Sequence, residues 1–297
     1  MPKIELKSVR IANGETLGYR EREGGDTVLV LVHGNMNSSK HWDLVLENAN
    51  PRYKIYAVDQ RGFGISTYNK PISSLKDLSD DLKMFVDAIG LKRFALMGWS
   101  TGGGVVMQFA ADYPEHVDKL ILLASASTRG YPFYADGENG QPDLSRRLTT
   151  RTEVDALQKT KTINGAYAAR DKETLRAIYN ALIYNKNQPS PEHYEDYLED
   201  MMTQRNLADI YHALNTFNIS AIDNPAANGS RAAERIKAPV LVLQGDRDLV
   251  VPVSMAHEIV EDIGANAKLV MLEDCGHSPL IDDLEQLLRR IDEFLLN

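Results

Sequence analysis

Ser100 is the residue whose neighbours best suit it to act as a nucleophile. It lies in Gly98-Trp99-Ser100-Thr101-Gly102, after the apolar run Phe94-Ala95-Leu96-Met97 and before Val105-Val106-Met107-Gln108-Phe109-Ala110-Ala111. The first run reads as a short buried strand and the second as a helix, so the pentapeptide occupies a sharp strand-to-helix turn. Glycines at 98 and 102 leave out the Cβ atoms that would clash there. Ser100 would then project above a sheet, with amide N–H groups of the next helical turn facing a reacting carbonyl.

A free serine hydroxyl is a poor nucleophile at neutral pH, so it needs a base and an acid that orients the base. His277 suits the base. It lies in Glu273-Asp274-Cys275-Gly276-His277-Ser278-Pro279, a loop after the last expected strand and at the same sheet end as Ser100. His41, His116, His193, His212 and His257 fall in helical segments or beside charges, and are expected to be solvated. No H-E-x-x-H or similar metal spacing occurs, so no metal is expected. The acid should follow the preceding strand, where Gln244-Gly245-Asp246-Arg247-Asp248 offers two carboxylates. Asp248 is preferred because it lies deeper in the turn, and Asp246 is expected to brace backbone N–H groups. Two amides complete the set. Gly34, in His33-Gly34-Asn35-Met36, lets an N–H at Asn35 aim at the carbonyl, and Thr101 supplies the second donor for an oxyanion hole. The His33 ring itself reads as a loop brace.

The elements that must hold these groups follow an α/β rhythm. The first 24 residues read as antiparallel strands about Asn13-Gly14. Thr27–Val32 is a β-branched and leucine run of the kind covered on both faces. Helices near Ser38–Glu47 and Leu75–Ile89 alternate with strands at Lys54–Val58, Phe94–Met97 and Lys119–Ala124, which implies a parallel sheet with crossover helices. From about residue 128 to about 236 no buried-strand run occurs. Helices are predicted near 152–160, 173–184, 191–204 and 206–217. Buried strands resume at Pro239–Leu243 and Lys268–Leu272, and an amphipathic helix closes the chain from about 280 to 296.

Four segments resemble the α/β-hydrolase superfamily in chain order: His33-Gly34-Asn35, Gly98-Trp99-Ser100-Thr101-Gly102-Gly103, Gly245-Asp246-Arg247-Asp248 and Cys275-Gly276-His277-Ser278-Pro279. Asp59-Gln60-Arg61-Gly62-Phe63-Gly64-Ile65-Ser66 matches a structural loop of the same superfamily, to which no chemistry is assigned. The order Ser100…Asp248…His277 is also that family's order. The resemblance covers nearly the whole chain. It implies a mostly parallel central sheet flanked by helices, with a core of residues 1–128 and 237–297. Residues 129–236 would form a helical cap between the sixth and seventh parallel strands. It implies no cofactor. Met36, Trp99 and the cap tyrosines would line an apolar pocket with a few hydroxyl donors.

The resemblance points to hydrolysis of small or medium carboxylic esters through an acyl-enzyme. Dehalogenases and epoxide hydrolases of this fold carry aspartate where Ser100 stands. Carbon–carbon bond hydrolases, lactonases, aminopeptidases and cofactor-free haloperoxidases share the serine triad and stay open, as does a ligand receptor on the same fold. Bulk properties narrow the setting. A net charge of −9 without basic runs disfavours nucleic acid. The amino-terminal residues alternate apolar and charged types rather than forming a signal-peptide core, and no apolar run approaches the ~18 residues of a membrane span. One cysteine, Cys275, excludes an internal disulfide and fits a reducing, cytoplasmic setting. A small-molecule ester is the expected partner of a monomer or homodimer.

Overall fold

The structure is a computed structural model that describes residues 2–296. Strands β1 (Ile4–Arg10) and β2 (Thr16–Arg22) form an antiparallel hairpin whose turn includes Gly14 at φ +94°. Strand β3 (Thr27–Val32) leads through a 3-10 turn at Ser39–Trp42 and helix α1 (Asp43–Asn48) to β4 (Tyr53–Val58). Helix α2 (Leu75–Ala88) precedes β5 (Phe94–Trp99), and helix α3 (Thr101–Asp112) precedes β6 (Val117–Leu123). A two-stranded hairpin follows, β7 (Tyr134–Asp136) with β8 (Pro142–Arg147). Then come helices α4 (Arg151–Ala156), α5 (Gln158–Ala169), α6 (Lys172–Leu182), α7 (Pro191–Met201) and α8 (Leu207–Thr216). Strand β9 (Val240–Gly245), helix α9 (Val253–Ile263), strand β10 (Ala267–Leu272) and helices α10 (Pro279–Asp282) and α11 (Leu284–Leu295) complete the chain.

The main sheet has eight strands in the order β1-β2-β4-β3-β5-β6-β9-β10. Only β3, β4, β5, β6, β9 and β10 pair in parallel, because β2 runs antiparallel to both β1 and β4. The inserted helices therefore follow the sixth strand of the sheet, but the fourth of its parallel strands. This corrects the strand count read from the sequence, which took the amino-terminal hairpin into the parallel set. Strand alternation feeds two cores. Val30 and Val32 join the cluster under α2 and α3, while Leu29 and Leu31 join the one under α1 and α11. Chain order reverses about β3, which lies between β4 and β5. The crevice beyond the carboxyl ends of β3 and β5 is where such sheets bind ligands.

Two predicted helices are each divided. The segment near 152–160 splits at Leu157, whose φ −59° and ψ 140° are extended. A capping box of Thr150 and Glu153 starts α4, and the Asp136 carboxylate accepts the Gln158 N–H at 2.9 Å to start α5 afresh. The closing helix likewise breaks at Asp283, whose side chain caps α11 through the Gln286 N–H. No helix among the described residues is long and apolar enough to cross a membrane.

Candidate active site

Ser100 sits between β5 and α3 with φ +56° and ψ −118°, a left-handed conformation that costs an L-residue energy. Its carbonyl accepts N–H groups from Gly103 at 2.9 Å and Ala126 at 3.2 Å, which hold the turn. Close approach explains the glycines around it. A Cβ on Gly102 would lie 2.3 Å from the Val32 carbonyl oxygen and 2.5 Å from that of His33, both backbone atoms. A Cβ on Gly34 would meet the Ser100 Cβ at 3.0 Å, so the loop after β3 runs directly beside the serine. Gly102→Ala is expected to cost about 1–3 kcal/mol by overpacking, lowering the melting temperature by several degrees. A melting temperature within one degree of the parent would contradict that packing.

The loop after β10 brings His277 to the same place. Its Nδ1 donates to the Asp248 Oδ2 at 2.9 Å, and the Asp248 side chain is fully buried, at 0% exposed. Backbone N–H groups of Val250 and Val251 donate to the other carboxylate oxygen at 2.8 and 2.9 Å, and Gln244 Nε2 reaches Oδ2 at 3.0 Å. Burial opposes the Asp248 charge, but His277 and the Val250 and Val251 N–H groups outweigh it and hold the pKa below the ordinary carboxylate value. Asp246 is exposed and accepts the Cys275 N–H at 3.3 Å, bracing the loop that carries His277.

Asn35, Met36, Ser100, Thr101 and His277 all line one cavity of about 710 Å³. Among the described residues no group accepts a hydrogen bond from the backbone N–H of Asn35 or Thr101. Thr101 opens α3, so its N–H belongs to the unpaired first turn of a helix. The Ser100 hydroxyl and His277 Nε2 are also without protein hydrogen bonds among the described residues, leaving both available to a ligand. Such contacts often tighten only when substrate binds.

His33 is a brace. Its Nε2 accepts the Gln60 N–H at 3.0 Å, and its Nδ1 faces the Gly34 carbonyl at 2.7 Å, which fixes the proton on Nδ1. Burial pushes its pKa down to about 4 from 6.5. Below pH 6.5 the unfolded chain then takes up a proton that the native ring refuses until about pH 4. Stability is expected to fall across that window, by up to roughly 3 kcal/mol, and to level off below it. An NMR titration showing the native ring protonating near pH 6.5 would contradict this.

Two sequence-based expectations change. Trp99 does not line the cavity. Strand alternation places it with Ala95 and Met97 on the α1 and α11 face, where its indole N–H donates to the His277 carbonyl at 2.9 Å. It positions the histidine loop. His41 is not solvated. It is buried beneath α7, its ring stacked on Tyr197 at 4.4 Å and its Nδ1 3.1 Å from the Asp200 carboxylate.

The inserted segment roofs the cavity with Phe133, Ile163, Tyr179, Tyr211 and Leu214, together with Lys159. It also grips the floor. Tyr179 donates its hydroxyl to the Met36 carbonyl at 3.2 Å, and Gln204 Nε2 donates to the Asn35 side-chain oxygen at 2.7 Å. Met36 adopts φ +59° and joins the apolar cluster of the inserted helices.

A family model described as the α/β hydrolase fold matches residues 27–284. The chain belongs to that family. It is 28% identical over 300 residues to a 2-hydroxy-6-oxononadienedioate/2-hydroxy-6-oxononatrienedioate hydrolase of Paraburkholderia phymatum, covering 97% of this chain and 95% of the relative. It is 27% identical over 277 residues to a pimeloyl-[acyl-carrier protein] methyl ester esterase of Nitrosomonas europaea, covering 92% and 97% of the two. An esterase from Exiguobacterium antarcticum superposes with a TM-score of 0.74 at 19% identity, covering 98% of this chain and 99% of that one. That last likeness speaks to the fold alone. Within this family's scaffold, Tyr179 and Tyr211 are among the tyrosines expected at the pocket, whereas Lys159, on α5, is a cavity residue that periodicity did not reveal. Nothing in a helical repeat distinguishes a residue facing a cavity from one facing bulk water.

Proposed function

We propose that the protein is a serine hydrolase that cleaves small or medium carboxylic esters through an acyl-enzyme. The observation that carries this reading is a left-handed Ser100 sharing one cavity with His277, whose Nδ1–H is held at 2.9 Å by buried Asp248. Fixing the proton on Nδ1 leaves Nε2 free to accept the hydroxyl proton. Ser100 Oγ attacks the ester carbonyl as that proton passes to Nε2. The amides of Asn35 and Thr101 receive the oxyanion, each worth ~2.7–4 kcal/mol in the transition state. The tetrahedral intermediate collapses, the leaving alkoxide takes the proton from Nε2, and the acyl group remains on Oγ. Water then attacks the acyl carbonyl as it gives a proton to the same nitrogen, the bond from Oγ to the acyl carbon breaks to release the acid, and Oγ takes the proton back. A cavity of about 710 Å³, lined mainly by apolar and aromatic side chains, suits a small or medium ester.

A second reading is hydrolysis of a carbon–carbon bond in a vinylogous diketone. The relative of Paraburkholderia phymatum, matched over 97% of this chain, supports it. The two are separated by rates on a panel of p-nitrophenyl and alkyl esters beside a vinylogous 1,5-diketone. Steady ester turnover with little diketone cleavage supports the ester reading. Preference for the diketone over every ester would replace it, and a single burst without turnover would indicate a ligand receptor.

A further inference from the structure

Lys159 has no role in the chemistry just described, yet it faces the same cavity. Among the described residues lining that cavity it is the one lysine or arginine. Its ammonium lies 3.9 Å from the centroid of the Phe133 ring and 5.5 Å from that of Tyr211. Among the described residues no carboxylate comes within 4.0 Å of it, in a chain where acidic residues outnumber lysine and arginine 42 to 33. Lys159 is exposed on its outer side, and what sets it apart from Lys76, Lys172 and Lys186, each of which meets a carboxylate, is that its ammonium rests on ring faces at the cavity wall. The nearest acidic influence is Asp136, which also lines the cavity and whose carboxylate is engaged in capping α5 through the Gln158 N–H at 2.9 Å.

We infer that Lys159 receives a carboxylate of the substrate, at the end remote from the scissile carbonyl. One cation set against aromatic faces matches one monoanion, and a dianionic phosphate would find no second cation in the cavity lining. The rings hold the ammonium by cation–π attraction while the site is empty, and a carboxylate can approach its remaining N–H groups from the cavity. The surrounding protein already pulls the pKa of Lys159 down to about 8, a penalty on the charge that a bound anion would offset. The preferred substrates are then half-esters of dicarboxylic acids or other acyl compounds ending in a free carboxylate. This kinetic consequence rests on the ester reading, whereas the binding consequence does not.

The test therefore has two arms. Ser100→Ala, which cannot consume its ligand, is titrated calorimetrically with monomethyl adipate and with dimethyl adipate, then with the corresponding C4 to C8 diacid esters. At the best-fitting length the half-ester is expected to bind about ten- to a hundredfold more tightly than the diester, as a charge-assisted contact allows. Adding Lys159→Gln should bring that ratio below threefold, and Lys159→Arg should retain most of it. Equal binding of the two esters overturns the inference, as does a preference that survives Lys159→Gln or the absence of measurable half-ester binding. In the second arm, the ratio of kcat/KM for half-ester over diester is measured in the parent chain and in Lys159→Gln. Turnover of both esters with a ratio unmoved by Lys159→Gln overturns the inference and leaves the ester reading standing. No turnover of either ester, with the binding preference intact in the first arm, removes the ester reading and upholds the carboxylate site.

Discussion

Ser100→Ala is expected to lower ester turnover by about four to six powers of ten while leaving the fold intact. The magnitude follows from what the hydroxyl does: without it no acyl-enzyme forms, and only binding and oxyanion stabilisation of direct water attack remain. Alanine also keeps the Cβ that Ser100 places 3.0 Å from the position a Gly34 Cβ would take, so the loop after β3 gains no cavity. Because serine and histidine act as one unit, Ser100→Ala combined with His277→Ala should lose little beyond the single change. Burst and steady-state kinetics on a p-nitrophenyl ester check both statements. Retention of more than a tenth of the activity in Ser100→Ala would show that another group attacks the carbonyl.

Asp248→Asn should cost about three to four powers of ten in turnover, and the hydrogen bonds around the carboxylate give the reason. One oxygen of Asp248 faces two backbone donors, the N–H groups of Val250 and Val251. An asparagine must present its own oxygen there, which turns its NH₂ toward His277 Nδ1 and Gln244 Nε2. Two donors would then meet at the ring unless His277 moved its proton to Nε2. In that tautomer Nε2 cannot accept the Ser100 proton, so the base is disabled while its position is kept. Asp246→Asn should change turnover only a few-fold, since its carboxylate is exposed and braces a loop through one long bond to the Cys275 N–H. A reversal of the two effects would move the acid to Asp246.

Legibility in the sequence followed how locally each feature was determined. The uninterrupted run at Thr27–Val32 is a strand with the expected ends, and the run at Phe94–Met97 is a strand that continues to Trp99, because a strand covered on both faces needs apolar residues at nearly every position. The gathering of Ser100, Asp248 and His277 at one end of the sheet was also readable, since each follows a strand that ends there. Trp99 was misread because one step along β5 sends a side chain to the opposite face, and the glycines that draw attention to Ser100 say nothing of its neighbour. The break at Leu157 depends on Asp136, a residue 21 positions away that caps α5 from the hairpin. His41 is buried by a helix some 150 residues later in the chain, through the Asp200 contact. Long-range pairing of this kind leaves no periodic trace.

The grip of the inserted segment on the floor has a consequence for how this protein can change. Gln204 and Tyr179 meet the chain at Asn35 and Met36, beside the amide expected to stabilise the oxyanion. The part of the molecule free to vary for a new substrate is thus joined to the part that sets the speed of the reaction. Laboratory evolution that randomises these two positions should recover few variants altered in preference alone, because most will also be slow. Diversity introduced at Leu182 or Thr162, which line the cavity and hydrogen-bond to Asn185 and Gln158 rather than to the floor loop, offers the gentler route to a new appetite.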